Sequence, residues 1–257
     1  MSGENNGFVY VASLSKAYYK AAIRSAVSLK DNFPQAKMTL FTHEEFVDES
    51  DVSLFENIIT GIPVHIRSKM YGIARSPYDK TLYLDSDTEI YSDEIKNIFD
   101  LLEDYDIKFS PIISHVSKSR QINDDNQLEY HGGVILYNNK PLTINLINDW
   151  YELYLQQITE KWHLSKFKDF NPSMQPWDQF TMWYLLHCVD KYKQIKSGFI
   201  DQGNIKWNYI YLLEDKDNPK NDQYKHIDPV IYHYTIPRKI VDEGSIIKPP
   251  GSPTDIR

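Results

Sequence analysis

The chain has one cysteine, Cys188, in 257 residues. That excludes an internal disulfide and any cysteine-built structural zinc site. Its neighbours Leu186, His187 and Val189 predict a thiol packed on a helix rather than a nucleophile. Basic clusters are missing as well: the formal net charge is -8 and no Lys/Arg run exceeds a few residues. Nucleic-acid binding needs a basic footprint, so that class is excluded. No apolar run approaches the roughly 18 residues of a membrane span. Residues 1–7 are polar and acidic, unlike a secretory signal, and Asn171-Pro172-Ser173 carries proline where it blocks glycosylation. A reducing, cytoplasmic location fits these absences. Finally, there is no Gly-x-Gly-x-x-Gly and no phosphate loop ending in Gly-Lys-Ser/Thr, which removes support for dinucleotide and ATP-type sites.

What the chain does have is size and aromatic rings. Its length suffices for one large domain with a sizeable core. Aromatics make up 14% of it, with 19 Tyr and 5 Trp. Such rings pack while offering a polar tip, which suits sugar or base contacts as well as a plain tyrosine-rich composition.

Apolar patterning then sets the elements. Phe8-Val9-Tyr10-Val11-Ala12 is a continuous run of the kind that forms a strand buried on both faces. Ser13-Leu14-Ser15 offers N-cap candidates. Ala22, Ala26, Leu29 and Phe33 share one face of a helix from Ala17 to about Asn32, stopped by Pro34. Strands are expected at Met38–Thr42 and near Ile58-Ile59, and a short helix over Lys69–Arg75 ends before Pro77. Ser92-Asp93-Glu94 opens a helix whose stripe is Ile95, Ile98, Phe99 and Leu102. Ile107–Ile113 reads as a strand, 114–130 as a mobile loop, and Gly132-Gly133 as the opening of a strand Val134–Tyr137. Pro141 starts a helix with the stripe Leu146, Trp150, Leu153 and Tyr154. After a connection over 161–175, Pro176 begins a helix with Phe180, Trp183, Tyr184 and His187 on one side. Only short apolar pieces, at 195–199, 207–213 and 229–234, precede a proline-rich tail. The expectation is one α/β domain over 8–240, with a flexible N-terminus at 1–7 and a tail at 241–257.

One stretch organises the rest. Leu82-Tyr83-Leu84 runs directly into Asp85-Ser86-Asp87. A buried strand that ends in carboxylates must deliver them to a wet edge, because burying a bare carboxylate is very costly. In an open parallel sheet that place is the carboxyl edge, where ligands bind. Two such charges repel by roughly 4 kcal/mol at about 4 Å with an effective dielectric near 20, and a divalent cation relieves this. Aspartyl phosphatases follow Asp-x-Asp with Gly and then Thr or Val, whereas Thr88-Glu89 stand here. Nucleotidyl transferases also hold metals on paired strand carboxylates, but usually beside a glycine-rich loop, and only Ala12-Ser13 follows the first strand. Taken singly, the other polar residues have bland readings. His233 could be a core histidine, Lys69 a solvated lysine, Asp178 a first-turn helix acid, and Trp177 and Trp207 core packing.

The order of motifs, however, resembles the family 8 glycosyltransferases of the glycogenin and bacterial galactosyltransferase type. The stretches that carry this are Phe8–Tyr18 with Ser25–Leu29, Lys69 sixteen positions before Asp85, and Ser76–Asp79 leading to Leu82–Asp87. Further along come His131-Gly132-Gly133-Val134-Ile135, Trp177-Asp178-Gln179, Trp207-Asn208-Tyr209, and His233 followed by Lys239. The resemblance implies a GT-A fold with a mixed, mostly parallel sheet flanked by helices. It also implies a retaining hexosyltransferase using a nucleotide sugar, most simply a UDP-sugar. By that resemblance, Asp85, Asp87 and His233 hold Mn²⁺ (or Mg²⁺), and Lys69 and Lys239 meet the diphosphate. Ala12 and Ser13 meet the uracil, and Tyr18 stacks on it. His131 and Gly132 face the sugar, with Asp178 and Gln179 beside the anomeric carbon. The acceptor (glycan, protein or small molecule) is not implied; its pocket is expected from 114–130 and 161–175. Three positions depart from the family: Ile236 replaces a glycine, Ile240-Val241 replaces Pro-Trp after the lysine, and His131-Gly132 replaces Asn-x. Two other functions remain open: a sugar-nucleotide pyrophosphorylase-like transferase, and a nucleotide-sugar or glycan-binding protein without catalysis.

Overall fold

The apolar runs of the first half become neighbours in one sheet. A computed structural model describes residues 5–65, 67–112, 129–159, 177–201, 206–211 and 228–234. Its strands are β1 (Asn6–Val11), β2 (Met38–Phe41), β3 (Asn57–Ile59), β4 (Lys80–Leu84), β6 (Ile107–Ile112), β7 (Glu129–Asn138) and β8 (Ser197–Phe199), in the order β3-β2-β1-β4-β7-β6-β8. The first four run parallel, β7 is antiparallel to both β4 and β6, and β8 is parallel to β6. A second, three-stranded sheet has the order β5 (Thr88–Ile90), β10 (Ile231–Tyr234), β9 (Tyr209–Tyr211). The mixed, mostly parallel α/β expectation holds.

Alternation along each strand explains the two-sided core. Val9, Val11, Tyr83, Ile135 and Tyr137 enter one apolar cluster, while Phe8, Tyr10, Leu82, Leu84, Val134 and Leu136 enter another. Successive strand residues point to opposite faces, so a run that is apolar throughout is buried on both. Helix α1 (Lys16–Asn32) covers the second face through Ala22, Ala26 and Leu29, and Ser15 caps it by accepting from the Ala17 N–H. Helices α2 (Lys69–Ile73), α3 (Pro141–Thr159) and α4 (Asp178–Cys188) cover the first, with Leu146, Trp150, Leu153 and Tyr154 buried as expected. The expected stripe Ile95, Ile98, Phe99 and Leu102 is buried on a 3-10 helix (Asp93–Leu102).

Several expectations are corrected. Strand β7 starts at Glu129, so Gly132-Gly133 lie within it rather than opening it. Its pairing with β6 shifts register between Phe109 and Ser110, and the two glycines fall in that irregularity. Helix α4 buries Phe180, Thr181, Met182, Leu185 and Leu186, while Trp183 and Tyr184 are half-buried and His187 is exposed. It packs against both α3 and β7, so a single stripe does not describe its buried surface. Cys188 ends α4 exposed instead of packed, and partial desolvation raises its pKa, keeping the thiol protonated. Trp177 is likewise exposed, whereas Trp207 does pack on the core. The short pieces at 195–199 and 229–234 hold strands that start two residues in, at Ser197 and Ile231. Most of the 1–7 segment and of the 114–130 loop, the 161–175 connection, Ile236, Lys239 and the tail lie outside the described residues.

Trp150 links this packing to the site, because its Nε1–H donates to the Asp178 carbonyl at 2.9 Å from a fully buried position. Trp150→Phe removes that hydrogen bond and part of a fully buried ring, and should cost about 1–3 kcal/mol. Urea unfolding tests this, and an unchanged midpoint would contradict the packing.

Candidate functional site

The carboxyl edge of the sheet is where the polar residues meet. Strand β4 ends at Leu84, and the Asp85 N–H donates to the Gly133 carbonyl at 2.8 Å. A tight turn follows, held by the Thr88 N–H and hydroxyl on the Asp85 carbonyl at 3.2 and 2.9 Å. The chain then enters β5, which pairs with β10 in a register that sets His233 opposite Thr88. The Tyr234 N–H also donates to the Asp87 carbonyl at 2.7 Å. Backbone pairing thus carries His233 across about 150 residues of sequence to the aspartates. Its Nε2 lies 3.2 Å from Asp87 Oδ1 and 3.9 Å from Asp85 Oδ2. One ligand atom from each of the three residues falls within 4.8 Å of the others.

A second group adjoins this one. Lys69, on the first turn of α2 and only 7% exposed, donates to the Gly132 carbonyl at 2.8 Å. Its ammonium is 3.4 Å from Asp178 Oδ2 and 3.7 Å from Asp85 Oδ1. Arg67 reaches the other oxygen of Asp178 at 3.4 Å. Burial pushes the Asp178 carboxyl up, but Arg67 and then Lys69 outweigh it and hold the group below its ordinary range, as an anion. Asp85 follows the same logic: burial is overcome by Lys69, His233 and the Tyr83 hydroxyl, which donates to Oδ1 at 2.5 Å. Burial lowers His131 to about 3, with His233 adding to the effect, so its imidazole is neutral. In His233 burial also lowers the pKa, but Asp87 and Asp85 prevail and raise it.

The glycines are there for space. A Cβ on Gly133 would lie 2.4 Å from His233 Cε1 and 2.7 Å from Asp85 Oδ2, and one on Gly132 would lie 2.8 Å from Lys69 Nζ. No side chain fits between β7 and the cluster.

A cleft of about 160 Å³ opens beside these groups, lined among others by Ser13, Leu14, Tyr18, His65, Arg67, Lys69, Asp85 and Asp87. The structure therefore brings together Ser13, Tyr18, Lys69, Asp85 and Asp87, with His131, Gly132, Asp178 and His233 packed against them. Ala12 is fully buried and does not line the cleft. Gln179 is half-buried, its Oε1 enclosed without a hydrogen-bond partner among the described residues. Sequence reasoning missed Arg67, His65 and Tyr83. Only Tyr83 carried a signal: two residues before Asp85 on a strand, it shares that residue's face.

A scan against family models and a search of curated proteins both give no match. Solved structures do match. The galactosyltransferase LgtC, with donor and acceptor sugar analogues, superposes with a TM-score of 0.50 at 16% identity, over 90% of this chain and 87% of that one. Mouse xyloside xylosyltransferase 1 gives 0.54 at 14% identity, over 90% and 100%. The glycosyltransferase GlyE of Streptococcus pneumoniae TIGR4 gives 0.55 at 17%, over 95% of this chain and 61% of that longer one. The chain has the GT-A fold of these glycosyltransferases, as the resemblance implied.

Two carboxylates and one imidazole suit a divalent first-row ion such as Mn²⁺ better than Ca²⁺. Mn²⁺ should raise the melting temperature of the wild-type chain, and Asp87→Ala should abolish that shift while leaving the fold intact. Because ligation must displace a proton from His233, affinity should fall and proton release should grow as the pH is lowered. Calorimetry in buffers of different ionisation heat reads both, and a pH-independent affinity would remove His233 from the ligand set.

Proposed function

We propose that this chain is a metal-dependent glycosyltransferase that moves a hexose from a nucleotide sugar, most simply a UDP-hexose, to an acceptor with retention of configuration. The observation that carries the reading is the convergence of Asp85, Asp87 and His233 beside the Lys69–Asp178 pair, at the carboxyl edge of a GT-A sheet. Asp85, Asp87 and His233 would hold the ion, which when bound supplies Lewis-acid stabilisation of a leaving diphosphate worth about several kcal/mol.

The chain's own residues do the rest. Ser13 and Tyr18, at the β1 end of the cleft, suit the base and ribose. Lys69 is a point charge already facing two carboxylates, so it can be shared with phosphate oxygens as negative charge develops there. Lys239 is the second such charge that the resemblance implies. Asp178 is an anion held between two cations. That pairing blunts it as a nucleophile and suits it to orienting sugar hydroxyls and stabilising positive charge at the anomeric carbon. This favours a dissociative, front-face displacement over a covalent intermediate. Gln179 follows it in sequence, and an active-site mutant of LgtC exchanges a glutamine for glutamate.

A panel of UDP-hexoses with Mn²⁺ or with chelator, read by thermal shift and by slow donor hydrolysis, tests the proposal. The expected result is Mn²⁺-dependent stabilisation and turnover of one donor, with Lys69→Ala reducing kcat/KM by about 10²–10³-fold. Pyrophosphate release from UTP and a sugar 1-phosphate would reassign the chain to nucleotidyl transfer. Tight UDP binding without turnover of any donor would make it a binding protein.

A further inference from the structure

Behind the metal cluster lies a set of contacts that the proposed function leaves unused. Asn208, one residue before β9 and 4% exposed, stands between two histidines. Its Nδ2 is 2.7 Å from Ser110 Oγ and 3.2 Å from His131 Nδ1, and its Oδ1 is 3.1 Å from His233 Nδ1. One neighbouring bond fixes the sense of all the others. The Gly133 backbone N–H donates to His131 Nδ1 at 3.1 Å, so that nitrogen is an acceptor and carries no proton. Asn208 must then turn its NH₂ towards His131, because its carbonyl oxygen would face a lone pair there. The carbonyl oxygen consequently faces His233 and can only accept. His233 Nδ1 therefore carries a proton, which leaves Nε2, on the side of Asp85 and Asp87, as the nitrogen that would give up its proton to bind an ion. His131, accepting at Nδ1, carries its proton on Nε2.

We infer that Asn208 is a positioning residue that reads the tautomer Gly133 fixes on His131 and imposes the opposite one on an ion-bound His233, which then ligates through Nε2 while His131 stays an N–H donor. The two rings stand edge to face with centroids 5.1 Å apart, so each limits the rotation of the other. The His233 half of the inference rests on the metal reading above, because without an ion the Asp87 carboxylate, 3.2 Å from Nε2, draws a proton there; the His131 half does not. Groups that hold the non-ligating nitrogen of a metal-bound histidine generally set both its tautomer and its ring orientation. Asn208 adds a second output, because the same amide that supplies a lone pair to the metal side supplies a donor on the His131 side. A donor there suits an oxygen of the bound sugar or diphosphate, in keeping with the place of His131-Gly132 next to Lys69.

The test is a long-range ¹H–¹⁵N spectrum of ¹⁵N-labelled wild-type chain, first metal-free and then with Mg²⁺, a diamagnetic ion. His131 should carry its proton on Nε2 in both, and ion-bound His233 should carry its proton on Nδ1; a proton on His131 Nδ1, or none on Nδ1 of bound His233, would overturn the inference. In Asn208→Leu, which keeps the volume but neither hydrogen bond, Gly133 should still hold the His131 tautomer while Mn²⁺ affinity falls about 10–100-fold. An unchanged Mn²⁺ affinity would overturn the inference as well. The two readings fail separately: absence of ion binding by the wild-type chain sinks the metal-dependent function, whereas wild-type binding with no loss in Asn208→Leu sinks only the role of Asn208.

Discussion

The ammonium of Lys69 is the contact on which the site depends. Asp85 and Asp178 come from elements far apart in sequence, and both turn a carboxylate oxygen towards it, at 3.7 and 3.4 Å. Without a buried cation, two anions in so small a space would drive each other's pKa upwards. The cation is itself held by the Gly132 carbonyl, which means β7 must come close, and only glycines allow that approach. Helix α2 sits where it does for the same reason: it delivers Lys69 from the face of the sheet opposite α1.

The second sheet answers a different need. A single parallel sheet brings together residues from adjacent strand ends, but the third member of this cluster, His233, comes from β10, which belongs to the other sheet. The β5–β10 pairing is reinforced behind the site. Glu89, almost fully buried, pairs with Arg24 at 2.7 Å and accepts a short hydrogen bond from Tyr91, whose hydroxyl lies 2.8 Å from that of Tyr234. A buried carboxylate with a cation and phenols around it makes a firm cross-tie between α1, β5 and β10. The strand bearing His233 is thereby anchored at Tyr234, the residue next to the histidine.

Much of this could be read from residue order, and the limits have physical causes. Runs such as Phe8–Ala12 and Leu82–Leu84 leave no ambiguity, since residues apolar on both faces of a strand belong in a covered sheet. Asp85 and Asp87 stood out because charge following such a run must emerge at the edge. The start of β7 was misread because glycine usually interrupts a strand, whereas here it admits a neighbour. The α4 stripe was misread because a helix gripped on two sides buries more than one face, and Cys188 because its apolar neighbours belong to a helix end that faces outward. Arg67 left no trace at all: an arginine in a polar segment looks solvated until its buried partner, Asp178, arrives from more than a hundred residues away.

The crossing from β5 to β10 also has a consequence in time. As the chain leaves the ribosome, β1, β2 and β4 can pair once Leu84 has emerged, and the two aspartates follow at once, ahead of the strands that fix them. The histidine arrives only after about 150 further residues, and its docking must overcome the closure entropy of that whole span. The sheet can therefore mature before the cluster does, so that a nascent chain carries the two aspartates through most of its synthesis without their third partner. Competence comes last, with one short strand.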